Sequence, residues 1–198
     1  GQSDVHPAVI GTQLLLAEAL EHREAFVEAA NVLRKAAEKL ESQRMHEQLA
    51  YLATMHALGR VLRKQGQCDN ALAMQKALYI NLIEKFGEYF FLTLATAHEQ
   101  AQCLLLLDEL NEAQHLYSRL SDTVSRLRAG LPSVDDIAQR RLMEQFDDIN
   151  FQFATVQARL GNRLGALMTL EQRKAFVLLD NLEERRRVRF GGGKDADW

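Results

Sequence analysis

Small residues recur at a fixed spacing within the apolar stripes of this chain. In four places an Ala or a Gly is followed twelve residues later by an Ala. The pairs are Ala17 with Ala29, Gly59 with Ala71, Ala101 with Ala113, and Ala154 with Ala166. Successive pairs begin 42, 42 and 53 residues apart. Because a small residue on each of two helices lets them pack closely, the pattern predicts four helical hairpins.

The remaining sequence pattern also favours helices. Turn-forming segments such as "KQGQCDN" and "LGNRLG" fall between the two helices of a hairpin. An apolar residue stands four places after the second small residue in three hairpins, whereas Gln75 occupies that place in the second hairpin. Only two Pro occur, and strong helix formers dominate. Since one hairpin cannot bury its apolar stripe alone, we predict an all-α fold in which the hairpins stack as an α-α superhelix.

The predicted repeats cover residues 1–190, with units at about 6–46, 47–88, 89–130 and 131–190. Eleven extra residues precede the fourth small pair, and "RAGLPSVDDIAQ" lies there. Ser133 and Asp136 form a capping signal, which predicts a helix that runs from this point to about Leu160. Residues 191–198 are predicted to be a flexible, Gly-rich acidic tail.

Composition argues against several classes of function. The formal net charge of −3 gives no reason to expect nucleic acid as a partner, and no apolar run approaches the ~20 residues that span a membrane. Cys68 and Cys103 form no Cys-x-x-Cys motif, so we expect buried, reduced thiols in a cytoplasmic protein rather than a disulfide framework.

Catalytic and metal-binding patterns are also weak. "HEQLA" at His46 and "HEQAQ" at His98 begin like a zinc-protease helix, but the second His is missing from both. No Gly-rich phosphate loop or nucleophile elbow is present. We therefore expect no enzyme, no metal site and no cofactor.

The paired small residues, the Gly66 and Gly161 turns, the 42-residue step and "DVHPAV" at Asp4 to Val9 resemble tetratricopeptide repeats of the kinesin-light-chain variety. The resemblance implies a concave groove, lined by the first helix of each hairpin, that holds a peptide. The Asn ladder of the light chains is absent from the corresponding stretches, and so is the Lys and Asn set that clamps a chaperone tail. The ligand preferences of those families therefore do not transfer to this chain.

We predict that the groove is positively charged in its middle and binds a protein or peptide, most favourably an acidic one. An alternative interpretation of Arg63 and Lys64 is that they complement a helix dipole at its C-terminal end. The candidate groove residues are His56, Arg60, Arg63, Lys64, His98, Gln102, Phe151 and Arg159.

The resulting hypothesis is a non-catalytic protein–protein interaction scaffold. The alternative is a regulatory or self-assembly module whose repeats bind another copy or an adjoining effector domain. Asp195, Asp197 and Trp198 in the tail form a candidate ligand for the groove of the same chain or of a second copy, although an unstructured terminus is the simpler interpretation. The basic run Glu183 to Phe190 is interpreted as a helix end, not as a nucleic-acid site.

Overall fold

The prediction of an all-α fold is confirmed. The structure, a computed structural model, describes residues 7–45, 48–130, 148–172 and 174, and all regular secondary structure among them is helical. The helices are α1 (Pro7–His22), α2 (Phe26–Ser42), α3 (Leu49–Lys64), α4 (Cys68–Phe86), α5 (Phe91–Leu106), α6 (Leu110–Gly130), α7 (Ile149–Arg159) and α8 (163–172).

The sequence repeat is present in the backbone of the hairpin turns. Each turn between a first and a second helix contains one residue in the left-handed region, and these residues are Glu24, Gly66, Asp108 and Gly161, with φ of 58°, 80°, 64° and 83°. Their spacing is the same 42, 42 and 53 residues. Gly adopts this conformation without strain, and a polar residue tolerates it better than a β-branched one. The four hairpins therefore turn in the same way.

The small-residue pairs mark the packed helix contacts, as predicted. Seven of the eight are Ala residues with at most 7% of their surface exposed, and Gly59 is also buried. Leu33 and Tyr117, which stand four places after the second small residue, are fully buried. The repeat register inferred from the sequence is therefore the register of the core.

Gln75 departs from the apolar pattern and is nevertheless fully buried. The side-chain Nε2 of Gln75 donates a hydrogen bond of 3.1 Å to the backbone carbonyl of His56. The backbone carbonyl of Gln75 accepts a hydrogen bond of 2.9 Å from Gln100 Nε2. The Gln75 side chain fills the space beside Gly59, where a Cβ would come within 2.7 Å of Gln75 Cδ. A polar residue fits here because Gly59 leaves room for it and the His56 backbone binds it.

The hairpins pack in chain order. Each helix from α1 to α6 packs on the helix that follows it in the chain. In addition, α1 and α5 both pack on α3. Two large clusters of buried side chains result, and Leu72 packs against both. The first helices of consecutive hairpins are thus neighbours, which brings their side chains within reach of one another.

One helix differs from its predicted extent. α7 ends at Arg159, as expected, but it begins at Ile149, and Asp148 lies in a turn. A single uninterrupted helix from Ser133 to Leu160 is therefore wrong. The capping signal at Ser133 and Asp136, His46, the basic run after Glu183 and the acidic tail lie outside the described residues.

Candidate functional site

Two cations of α3 share one carboxylate of α1. Arg60 Nη2 lies 2.7 Å from Glu21 Oε1, and Lys64 Nζ lies 3.0 Å from Glu21 Oε2. Burial alone would raise the pKa of Glu21, but the hydrogen bonds and charges of Arg60 and Lys64 hold it below its ordinary value of 4.5. The Glu21 side chain is only 4% exposed, whereas those of Arg60 and Lys64 are 32% and 37% exposed. This cluster keeps one uncompensated positive charge that is partly open to solvent.

A second ion pair connects α3 to α5. Arg63 Nε donates to Glu99 Oε2 at 2.7 Å, and both side chains are largely buried. Burial alone would lower the pKa of Arg63, but Glu99 raises it above its ordinary value. The expectation that Arg63 is an open groove cation is corrected here, because Glu99 compensates its charge.

The two candidate histidines are buried between first helices. His56 Nδ1 lies 3.2 Å from Thr96 Oγ1 of α5, and His98 Nε2 lies 3.5 Å from Asp148 Oδ1 beside α7. Gln102 Nε2 is 3.1 Å from His98 Nε2. The prediction that His56 and His98 line an open groove is therefore wrong, since neither exposes more than 9% of its surface. They connect neighbouring helices instead.

The last two candidate residues lie on α7 and are exposed. Arg159 Nη2 binds Asp108 Oδ1 at 2.6 Å, and its Nη1 donates to the Leu105 carbonyl at 3.3 Å. Phe151 exposes about half of its surface, although Phe side chains are more often buried. Phe151 and Arg159 therefore lie at the surface of the same helix and are open to a ligand.

These contacts form separate groups between successive first helices, and we call the groups together the polar network. It runs from α1 through α3 and α5 to the start of α7. Its members are Glu21, His56, Arg60, Arg63, Lys64, Thr96, His98, Glu99 and Asp148.

Sequence analysis missed the role of Glu99 and did not assign partners to the cations. The signal was nevertheless present, because neighbouring first helices meet at residues separated by nearly one repeat. Glu21 and Arg60 are 39 residues apart, and Arg63 and Glu99 are 36 apart. A search for opposite charges at slightly less than the 42-residue step would have found both pairs.

Comparison with solved structures identifies the architecture. The chain is similar to BtubC (BKLC) from P. vanneervenii, with a TM-score of 0.74 and 13% identity over 90% of this chain and 67% of that one. It is also similar to the nearly identical TPR-like repeats of a putative kinesin light chain from Podosopora anserina, with a TM-score of 0.57 and 17% identity over 86% and 96% of the two chains. A single-residue variant of that protein gives a TM-score of 0.60 and 19% identity over 86% and 95%. The fold is a tetratricopeptide-like solenoid.

Sequence comparison alone does not detect this likeness. No protein-family model matches the chain, and no curated protein matches it significantly in sequence. At identities below 20% the solved structures establish the fold of the solenoid and not the roles of its residues. The function must therefore be inferred from the side chains of this solenoid.

The described part of the solenoid has few features that suggest other kinds of site. Within residues 7–45, 48–130, 148–172 and 174, no group of three or more His, Cys, Asp and Glu side chains is placed to hold a metal ion. Among those same residues, no helix is both long and apolar enough to cross a bilayer. The carboxylates of Glu21 and Glu99 are already bound to cations.

Acid is expected to destabilise the solenoid through His56. Burial lowers the pKa of His56 to about 4, from 6.5, so the folded state resists a proton that the unfolded chain accepts. The stability that neutral His56 contributes is therefore fully present above pH 6.5. It is lost as the pH falls towards 4, at up to about 1.4 kcal/mol per pH unit. Urea unfolding at a series of pH values between 7 and 4 measures this slope.

A His56→Asn variant keeps a polar atom for Thr96 but cannot take up the proton, so its slope should be shallower over this range. The matched control is His115→Asn, because His115 is exposed on α6. Equal slopes in the wild type and in His56→Asn would show that His56 does not produce the acid sensitivity.

Proposed function

We propose that this chain is a non-catalytic protein–protein interaction scaffold that holds a peptide or helix of a partner protein along its first helices. The observation that carries the proposal is the charge of the cluster around Glu21. Arg60 and Lys64 share the single carboxylate of Glu21, so the cluster has one positive charge in excess. Tetratricopeptide-like solenoids present an extended face built from consecutive repeats. A partly exposed cation on such a face favours an acidic partner, because complementary charge steers encounter and fixes orientation.

We propose a position for this partner from the repeat register. One residue in the last turn of each of the four first helices is exposed, and these four residues are separated by the same steps of 42, 42 and 53 residues. We call them the exposed column, and they are His22, Lys64, Leu106 and Arg159. Lys64 and Arg159 stand on either side of Leu106, a large apolar residue that is 60% exposed. Arg159 is paired with Asp108, but 44% of its side chain remains exposed. A segment with an apolar residue between acidic ones matches this order.

An exposed aromatic side chain lies on the same helix as the last member of this column. Phe151 is two turns before Arg159 on α7 and exposes 51% of its surface. Arg60, one turn before Lys64, is 32% exposed. Together these residues offer apolar contact beside positive charge, which is the combination that anchors amphipathic segments.

Replacing Lys64 with Gln is expected to weaken binding of acidic peptides by about two- to five-fold while the fold is kept, because Arg60 still neutralises Glu21. Fluorescence anisotropy with labelled ten-residue peptides, carrying four Asp or Glu residues around a central Leu or Trp, measures this. Peptides with Ser in place of the acids serve as the negative probe. The slope of affinity against salt should also decrease.

The matched control is Lys76→Gln. Lys76 also forms an ion pair, 3.3 Å from Glu112, but it lies on the second helix of its hairpin, away from the exposed column. Equal losses in the two variants, or equal binding of the acidic and Ser peptides to the wild type, would contradict the proposed surface.

The tail remains a proposed ligand for this surface. Asp195 and Asp197 would meet the cations, and Trp198 is the only Trp of the chain. We expect the emission of Trp198 to be blue-shifted relative to free Trp and to move to the red in Lys64→Gln. An emission maximum of fully exposed Trp in the wild type, unchanged by dilution, would remove the tail from the proposal.

Self-assembly is the second candidate, because apolar side chains are exposed on the first hairpin and on α8. Val9, Leu16 and Val27 are exposed on the first hairpin, and Leu164 and Leu167 are exposed on α8. Such residues are buried when repeats continue on either side. Light scattering across a hundred-fold range of protein concentration distinguishes the candidates: a monomer that binds acidic peptides supports the scaffold, and a stable oligomer that does not bind them supports assembly.

A further inference from the structure

The fold brings together the only two cysteines of the chain. Cys68 lies in the first turn of α4, and Cys103 lies in α5. Both thiols are free and belong to the same cluster of buried side chains. The helices α4 and α5 pack on each other, and the neighbouring Cys68 contributes to the raised pKa of Cys103. Two reduced cysteines from neighbouring hairpins thus lie in one buried cluster, although 35 residues separate them in the sequence.

We propose that Cys68 and Cys103 form an intramolecular disulfide when the folded protein meets hydrogen peroxide, which joins α4 covalently to α5. In the first step the Cys68 sulfur attacks the peroxide, the O–O bond breaks, and Cys68 becomes a sulfenic acid as one water leaves. The Cys103 sulfur then attacks the Cys68 sulfur, the S–S bond forms, the S–O bond breaks, and a second water leaves. The two sulfurs together give two electrons to the peroxide.

Exposure sets the order of the two steps. Cys68 is 7% exposed and Cys103 is fully buried, so peroxide reaches Cys68 first. Burial, reinforced by the neighbouring Cys68, raises the pKa of Cys103 to about 12, and the thiolate that attacks is therefore scarce at neutral pH. The second step should be slow at pH 7 and accelerate about tenfold per pH unit up to pH 9.

The disulfide would lie beside the polar network. Arg63 is close enough to both thiols for its charge to act on them, and it is paired with Glu99. A covalent link between α4 and α5 would therefore hold the second hairpin to the third near the ion pair of Arg63 and Glu99. Closing the loop from Cys68 to Cys103 also restricts the unfolded chain, so the melting temperature should rise by roughly 5–10 °C.

The test treats the full-length folded protein with hydrogen peroxide at pH 7, 8 and 9, followed by acid quenching and intact mass measurement. The expected product is a monomer that is lighter by about 2 Da, has lost both free thiols and regains them with a reductant. Because the chain has two cysteines, this product defines the pairing. A product that is only heavier by about 16 or 32 Da, or a disulfide-linked dimer, would overturn the proposal.

Two single variants test the assigned order. Cys103→Ser should stop at oxygen addition on Cys68, and Cys68→Ser should react far more slowly than the wild type because Cys103 is buried. Oxidation of Cys103 in Cys68→Ser at the wild-type rate would contradict the order. Appearance of the lighter product only in urea would show that the folded protein does not form the bond.

Discussion

Replacing Arg63 with Glu is expected to lower the free energy of unfolding by about 3–5 kcal/mol, the largest loss that we expect from a single change of charge. Arg63 and Glu99 are 2.7 Å apart, with side chains only 17% and 10% exposed. The substitution leaves two carboxylates facing each other where water can solvate them only in part. Urea unfolding followed by circular dichroism measures the loss.

Two comparisons isolate the effect of burial. Lys76→Glu breaks an exposed ion pair with Glu112 and should cost less than about 1 kcal/mol. The double variant Arg63→Met and Glu99→Met removes both buried charges and should recover most of the stability lost in Arg63→Glu. Similar losses in Arg63→Glu and Lys76→Glu would show that the contact between α3 and α5 does not depend on this pair.

Replacing Gly59 with Leu is expected to cost about 3 kcal/mol, because α3 has no room for a side chain at this position. Even a Cβ would come within 2.7 Å of Gln75 Cδ. The Gln75 side chain cannot move away freely, since it is fully buried and its Nε2 donates a hydrogen bond to the His56 carbonyl. Thermal and urea unfolding report the change, which should also lower the stability of the adjacent hairpins.

Gly11 supplies the control for Gly59. It lies on α1, and apart from its chain neighbours and the adjacent backbone of its own helix, no atom lies within 4 Å of the position of its missing Cβ. Gly11→Ala should therefore stabilise the protein by about 0.5–1 kcal/mol through helix propensity. Gly59→Ala should destabilise it, and shortening Gln75 to Ala in that variant should recover part of the loss. If Gly59→Ala is as stable as Gly11→Ala, the close contact between Gly59 and Gln75 is contradicted.

The repeat register could be predicted because it depends on local spacing. A small residue at Gly59 or Ala101 and another twelve places later are required wherever two short helices cross closely, and this requirement is visible in one sequence. Gln75 looked like an exception because the partner of its side-chain amide, the backbone carbonyl of His56, belongs to another helix. A polar residue in a core position is explained only when its partners are known.

The exposure of the charged residues could not be predicted in the same way. Arg60 and Arg63 lie three residues apart on one helix, yet Arg60 remains partly open and Arg63 is largely buried. The difference arises from the neighbouring helices, because Glu21 approaches from α1 and Glu99 from α5. Periodicity assigns a residue to a helix face, whereas burial depends on which side chain of the next hairpin meets it.

The exposed column contains both predicted and unpredicted residues. The sequence makes Lys64 and Arg159 candidate groove residues, but it does not single out Leu106. The 42- and 53-residue steps place all three at the same position of successive first helices, and the structure shows all three exposed. The predicted partner therefore changes from an acidic segment to an acidic segment with an apolar residue at its centre.

The most direct test of the scaffold is an NMR titration of the isotope-labelled protein with the tightest-binding acidic peptide of the anisotropy series. We predict that amide shifts concentrate in the last turns of α3, α5 and α7, around Lys64, Leu106 and Arg159, and that they diminish in Lys64→Gln. Shifts confined to the second helices, for example around Lys76 on α4, would contradict the scaffold proposal, and so would the failure of every acidic peptide to bind more tightly than its Ser counterpart.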